Sequence, residues 1–213
     1  MNNLIDESII IIDYGVGNLG SVANMLKKIG ARNVIISSDA DKIEASKKVL
    51  LPGVGSFDYG MSRLNKLGIS SAIKNLVKQD DTLLMGICLG MQLLTDSSEE
   101  GSIPGLGLVP GSAKLFPKVK GLKVPHMGWN MISPRKPSFL FRDMPLESRF
   151  YFVHSYFVDC INKEDVLCTT RYGEEFVSSF QRRNIIGCQF HPEKSHRFGM
   201  QLFKNFVNFK GSS

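Results

Sequence analysis

The five residues Gly86-Ile87-Cys88-Leu89-Gly90 place a nucleophile between two glycines. A small-x-nucleophile-x-small pattern where a strand hands over to a helix permits a tight, strained turn. That turn lifts the side chain above the sheet edge, as in the nucleophile elbow of hydrolases. The chemistry this implies is covalent catalysis by Cys88. The turn also sets Cys88 at a helix N-terminus, where partial positive charge favours the thiolate, and leaves the Leu89 N–H free to face an oxyanion. On these five residues alone, a buried cysteine between close-packed glycines is an equal alternative.

A thiolate needs a base, and Phe190-His191-Pro192-Glu193 supplies a candidate. Pro192 fixes the backbone, and Glu193, two positions beyond His191, projects to the same side of an extended segment. Glu193 is then placed to orient the His191 imidazole and to stabilise it when charged. A third piece is Leu51-Pro52-Gly53-Val54-Gly55-Ser56, at the carboxyl end of an expected strand and ahead of a helix. Its glycines let backbone amides approach a ligand closely, which suits a second oxyanion donor. Taken singly, the histidine segment is equally a surface turn and the glycine loop an ordinary turn. Ligands of open α/β sheets bind beyond the carboxyl ends of the strands, where the elbow and the glycine loop both fall.

The elements that must position these groups follow the βαβ alternation. Residues 9–12 are a continuous β-branched run, as in a strand buried on both faces. Val22, Met25, Leu26 and Ile29 recur at helical spacing and Gly30 closes the segment. Strands are expected at 34–36, 49–51 and 82–87, and helices at 69–77 and from Leu89 to about Leu94. From Gly101 onward Gly and Pro punctuate the chain, and residues 150–158, 166–171, 175–181 and 185–189 look like strands of a mixed or antiparallel portion. Residues 196–209 form a closing amphipathic helix with Met200, Phe203, Phe206 and Val207 on one face. The expected fold is therefore α/β, with a mostly parallel central sheet flanked by helices and a smaller mixed or antiparallel portion in the second half. One domain over residues 1–213, with its core at 9–209, is expected from the 213-residue length and 43% hydrophobic content.

The net charge of +6 is spread along the chain, with mild concentrations at 114–123 and 182–197. No basic stripe interleaves with stacking aromatics, so a solvated surface is expected and not a nucleic-acid partner. No apolar run approaches the roughly 20 residues that span a bilayer, and the polar, acidic start Met1 to Glu7 is unlike a signal peptide. A cytoplasmic protein without a membrane partner is expected. Gly211, Ser212 and Ser213 read as a frayed end or a cloning remnant. The cysteines Cys88, Cys160, Cys168 and Cys188 lack metal-type or disulfide-scaffold spacing, so reduced thiols, no metal and no cofactor are expected. Cys160, Cys168 and Cys188 are expected to be packing or surface thiols, His154 structural and His196 exposed.

GICLGMQ, PGVG and FHPE together resemble the class I, triad-type glutamine amidotransferases. The segments DYGVGNL (13–19), PHMGWN (125–130) and YFVHSY (151–156) are similar to those of one branch, the glutaminase subunits of imidazole glycerol phosphate synthase. The resemblance runs from Ile9 to about Phe209. It implies a Cys88, His191, Glu193 triad that hydrolyses glutamine to glutamate and ammonia. It implies glutamine contacts from Gln92, Glu100 and backbone groups of Gly53, Gly55, Ser155 and Tyr156. It implies an oxyanion hole from the amides of Leu89 and Val54, in a loop that switches when the partner's ligand binds. The implied partner is a (β/α)8 cyclase subunit, in a heterodimer, that receives ammonia through a channel and makes imidazole glycerol phosphate and AICAR in histidine biosynthesis. Asn18, Met127, Trp129 and Lys194 fall in motifs resembling the contact face. From the residues alone, Trp129 beside His126 and Met127 is an interface anchor, with core packing as the alternative. Two other functions stay open: a paralogous glutaminase serving surface-polysaccharide amino-sugar synthesis, and a non-glutaminase or non-catalytic relative on the same fold.

Overall fold

The computed structural model describes residues 8–117 and 121–210. The Met1 to Glu7 start, residues 118–120 of the first basic stretch and the Gly211 to Ser213 end lie outside the described residues. The first half runs β1 (Ile9–Ile12), α1 (Leu19–Lys28), β2 (Val34–Ser37), α2 (Ala40–Glu44), β3 (Lys48–Gly53), α3 (Phe57–Lys66), α4 (Ile69–Leu76), β4 (Leu83–Cys88) and α5 (Leu89–Leu93). The second half runs β5 (Ser97–Ser98), β6 (Gly111–Leu115), β7 (His126–Met131), β8 (Ser133–Pro134), β9 (Arg149–His154), β10 (Tyr156–Cys160), β11 (Val166–Tyr172), β12 (Glu174–Arg182), β13 (Ile185–Cys188) and α6 (His196–Val207).

Strands β2, β1, β3, β4 and β13 lie side by side and parallel. Beyond β13 the same sheet turns antiparallel through β12, β10 and β6, while β11 pairs with β12. β7 and β9 form a separate antiparallel ribbon. This is the α/β fold that the alternation of elements predicts. The all-isoleucine β1 explains its centre: Ile9 and Ile11 join the core on one face of the sheet, with Val22, Leu26, Leu202 and Phe203. Ile10 and Ile12 join the core on the other face, with Phe57, Leu64, Ile73 and Leu76. Each such buried side chain contributes about 1.5–3 kcal/mol. Helices α1 and α6 thus cover one face and α3 and α4 the other. No helix among the described residues is long and apolar enough to cross a membrane.

One expected strand is wrong in a way that matters for the site. Residues 150–158 are not one strand but β9 and β10, which break at Ser155 and belong to different sheets. Phe150, Phe152, His154, Val158 and Cys160 all point inward. The period-2 pattern therefore runs straight through the break and hides it. The Ser155 carbonyl accepts from Phe116 N–H at 3.1 Å, which fixes the chain at the crossing. Strand β7 and the short helix α2, capped by the Asp39 side chain, are elements that periodicity did not disclose.

Candidate active site

Cys88 ends β4, paired in register with Gly53 of β3, and the next residue opens α5. Its backbone sits at φ 56° and ψ −111°, a left-handed conformation that costs a cysteine on the order of 1–3 kcal/mol. The surrounding packing holds this strain. A Cβ on Gly90 would lie 1.7 Å from the Leu51 carbonyl oxygen, and one on Gly86 would lie 2.6 Å from the Gly90 carbonyl oxygen. The two glycines are therefore required by close approach, and the elbow is pressed against β3. Helix α5 spans only Leu89–Leu93, so it offers free first-turn amides such as that of Leu89 more than a macrodipole. The Cys88 sulfur lies 3.9 Å from the Val153 carbonyl oxygen and accepts from Gln189 Nε2 at 3.7 Å.

His191 is pinned by its own backbone. Its N–H donates to the Tyr151 carbonyl at 2.9 Å, and its carbonyl accepts from Ser195 Oγ at 2.6 Å. The segment that follows is not extended, as the sequence suggested. Pro192 opens a 3-10 turn over Pro192–Lys194, because its fixed φ suits the first position of a helical turn. That turn brings Glu193 Oε1 to 2.7 Å from His191 Nδ1. His191 Nε2 is buried without a hydrogen-bond partner. Burial alone would push the imidazole pKa down, but interaction with Cys88 and then Glu193 outweighs it and raises the value to about 9. The arrangement can store a proton on His191 opposite a sulfur anion.

Val54, Gly55, Cys88, Leu89, Gln92, Glu100, Ser155 and Tyr156 line one cavity of about 400 Å³, a size suited to a small polar ligand. Gly53, His191 and Glu193 do not line it. A larger cleft of about 500 Å³, from Ile132 to Ser148, is lined by neither cysteine nor histidine. Glu100 is anchored through Oε2, which accepts from Phe57 N–H at 2.8 Å, leaving Oε1 for a ligand. Gln92 spends both hydrogens of its amide, on the Tyr156 carbonyl and on Gln189 Oε1, each at 3.0 Å. Only its oxygen is left to meet a ligand, and that ligand group must be a donor.

His154 is buried as expected but also borders this cavity. Its Nδ1 lies 2.8 Å from the Tyr156 carbonyl, which can only accept, so Nδ1 carries the hydrogen. Its Nε2 then accepts from His126 Nδ1 at 3.0 Å. Burial pushes His126 down to about 4 and His154 to about 3, against an ordinary 6.5. Both stay neutral in the fold where the unfolded chain would protonate them, so stability falls as pH drops from 6.5 toward 4. For His191 the sign is reversed: its contribution is complete below 6.5 and is lost as pH rises through about 9. The melting temperature should therefore decline on both sides of about pH 6.5. His191→Asn should flatten the decline between pH 6.5 and about 9, below the range in which the buried Tyr14 and cysteine thiols add their own, and an unchanged slope in that window would remove His191 from this role.

Gln189 and Tyr14 beside the sulfur, and the His126–His154 pair at the cavity, are not announced by the motifs. Gln189 is two residues before His191, and strand alternation puts both on one face, so a signal was present. Tyr14 is fully buried with its hydroxyl unpartnered, and its pKa is driven up first by burial and then by Cys88. The His126–His154 pair joins residues far apart in sequence, and no local pattern announces it. Cys160, Cys168 and Cys188 are all buried, with pKa values raised mainly by burial.

A second surface lies along β7. Met127, Trp129 and Met131 alternate outward, with Met127 62% and Trp129 44% exposed, so Trp129 is not a core residue. Trp129 stacks on the exposed His196 ring, with centroids 5.5 Å apart, and Lys194 sits over the Tyr151 ring beside it. Asn18 is exposed and caps α1, its Oδ1 accepting from Ser21 N–H at 3.2 Å.

A cysteine on a strained strand-to-helix turn of an open α/β sheet, interacting with a histidine–carboxylate pair, is an arrangement suited to nucleophilic chemistry, and residues 10–209 match the family described as glutamine amidotransferase class-I. The chain belongs to that family. It is 50% identical over 199 residues to "imidazole glycerol phosphate synthase subunit HisH 2" of Methanococcus maripaludis, covering 93% of this chain and 98% of that protein. It is 46% identical to "imidazole glycerol phosphate synthase subunit HisH" of Bdellovibrio bacteriovorus, covering 92% of this chain and 97% of that one. The fold is also that of PurLQS from Thermotoga maritima, with a TM-score of 0.71 at 19% identity over 95% of this chain and 98% of that one.

Proposed function

We propose that this chain, a single domain with its core over residues 9–209, is a cytoplasmic glutaminase subunit of an imidazole glycerol phosphate synthase. The observation that carries this function is the convergence of Cys88 with the 2.7 Å His191–Glu193 pair at a cavity bordered by Gln92 and Glu100. In the mechanism, Glu100 Oε1 receives the ammonium group of glutamine and the Gln92 oxygen accepts a second donor. Backbone groups of Gly55, Ser155 and Tyr156 complete the substrate contacts, and Gly53, set back from the cavity, supports the loop that carries Gly55. His191 Nε2 takes the thiol proton as the Cys88 sulfur attacks the side-chain amide carbon. The amides of Leu89 and Val54 receive the oxyanion. His191 then returns the proton to nitrogen, the C–N bond breaks, and ammonia leaves a γ-glutamyl thioester on Cys88. Water, deprotonated by His191, attacks the thioester, releasing glutamate and restoring the thiol. Glu193 holds the imidazole in place and balances its charge.

Ammonia passes to a (β/α)8 cyclase docked against Met127, Trp129, Lys194 and Asn18, and channels through it. An exposed methionine and tryptophan stripe has the composition of an interface centre, with Lys194 at its polar rim. Growth without histidine of a strain lacking its own glutaminase subunit tests the function: this chain should restore it. The purified chain should also release glutamate faster once the cyclase and its nucleotide ligand are added. Glutamate release without rescue would transfer the ammonia to an amino-sugar pathway, and no glutamate release under either condition would defeat the glutaminase assignment.

A further inference from the structure

We propose that Gln189 is a further catalytic residue: its side-chain amide donates to the Cys88 sulfur and stabilises the thiolate that attacks. The proposal rests on Cys88 being the nucleophile. Nε2 of Gln189 lies 3.7 Å from Sγ, within reach of an N–H···S hydrogen bond, and the side chain is completely buried. The amide has one permitted direction. The Tyr156 carbonyl can only accept, so Gln92, 3.0 Å away, turns its NH2 group toward it. The second hydrogen of that NH2 meets Gln189 at 3.0 Å, so Gln189 must present its oxygen there. Its own NH2 is left facing Cys88. Turning Gln92 around would set oxygen against oxygen at Tyr156, and turning Gln189 alone would set two NH2 groups against each other. His154 adds a second donor to the Tyr156 carbonyl at 2.8 Å and fixes the far end of the series.

The direction matters because of what else touches the sulfur. The Val153 carbonyl oxygen, 3.9 Å from Sγ, can accept the thiol hydrogen but repels a thiolate. When the proton moves to His191, that contact turns unfavourable, while the Gln189 N–H becomes a charge-assisted donor of roughly twice the strength. Imidazolium supports the anion from one side and Gln189 from another. Gln189 thus acts selectively on the charged form, which is the form that reacts.

The test is the rate of Cys88 alkylation by iodoacetamide across pH, in the full chain, for the parent, Gln189→Met and Gln189→Glu. Cys88→Ser gives the background from the three buried thiols. The titratable groups around the sulfur, His191, Glu193, Tyr14 and His154, are unchanged in both Gln189 variants. Loss of one hydrogen bond to a charged atom should move the Met profile up by about one pH unit and slow alkylation about tenfold at neutral pH. The Glu profile should move further, because a carboxylate replaces the donor. Superimposable Met and parent profiles overturn the proposal. If the Met variant does not fold, the Glu variant decides alone: it is isosteric, keeps an acceptor for Gln92, and an unshifted profile overturns the proposal. The readout needs no glutamine, so a shifted profile in a chain that never releases glutamate would sink the glutaminase function and leave Gln189 as assigned.

Discussion

Replacing Cys88 with alanine will lower glutamate release in the presence of the cyclase by on the order of 10⁴- to 10⁶-fold, the scale seen when a nucleophile is removed from a catalytic triad. The fold should survive. Cys88 is 93% covered, yet the hydrogen bonds of its sulfur to Val153 and Gln189 are long, at 3.9 and 3.7 Å, and alanine suffers no more than cysteine from a φ of 56°. The expected pattern is therefore near-total loss of hydrolysis with a melting temperature within a few degrees of the parent's, by the ordinary scaling for a chain of this length. Retention of glutamate release in Cys88→Ala, checked by steady-state assay, would remove the sulfur from the mechanism.

Gly90→Ala should be the most damaging single methyl group that can be added at the elbow. The new Cβ would sit 1.7 Å from the Leu51 carbonyl oxygen, a backbone atom in the middle of the parallel sheet. Neither partner is the free end of a side chain, so β3 and β4 must separate or α5 must tilt. Overpacking of this kind costs about 3 kcal/mol or more, a fall in Tm of on the order of 10 °C for this length. Any tilt of α5 also moves the Leu89 amide and the Cys88 sulfur together, so activity should fail at temperatures where the chain is still folded. Gly20→Ala is the matched control. It lies in the first turn of α1 with the nearest atom 3.9 Å from the new Cβ, and it should be neutral or slightly stabilising. Thermal melts of the two variants side by side check the contrast.

The contrast between these glycines shows what the sequence discloses and what it hides. The elbow was legible because its requirements are local: a strand end, a helix start, and small residues at fixed offsets. The parallel sheet was legible because β1, β3 and β4 are apolar runs, Lys48 at the start of β3 apart, and a strand covered on both faces is written mostly in apolar residues. The break at Ser155 was not legible, because inward-facing residues keep the same parity on both sides of it. The turn that joins His191 to Glu193 differs from the extended segment expected for a related reason. An i to i+2 pair fits an extended strand, but Pro192 can also begin a 3-10 turn, and the backbone bonds to Tyr151 and Ser195 decide between them. The polar series from His126 through His154, Tyr156, Gln92 and Gln189 to Cys88 depends on contacts between distant segments. Only the assembled fold brings those donors and acceptors into order.

Covalent labelling by a chloroketone analogue of glutamine asks at once which atom is the nucleophile and what the cavity binds. One equivalent of label per chain is expected, carried on Cys88 in the peptide spanning Gly86 to Gly90, with glutamine slowing its attachment. Label on Cys160, Cys168 or Cys188, or labelling of Cys88 that glutamine does not slow, would contradict it.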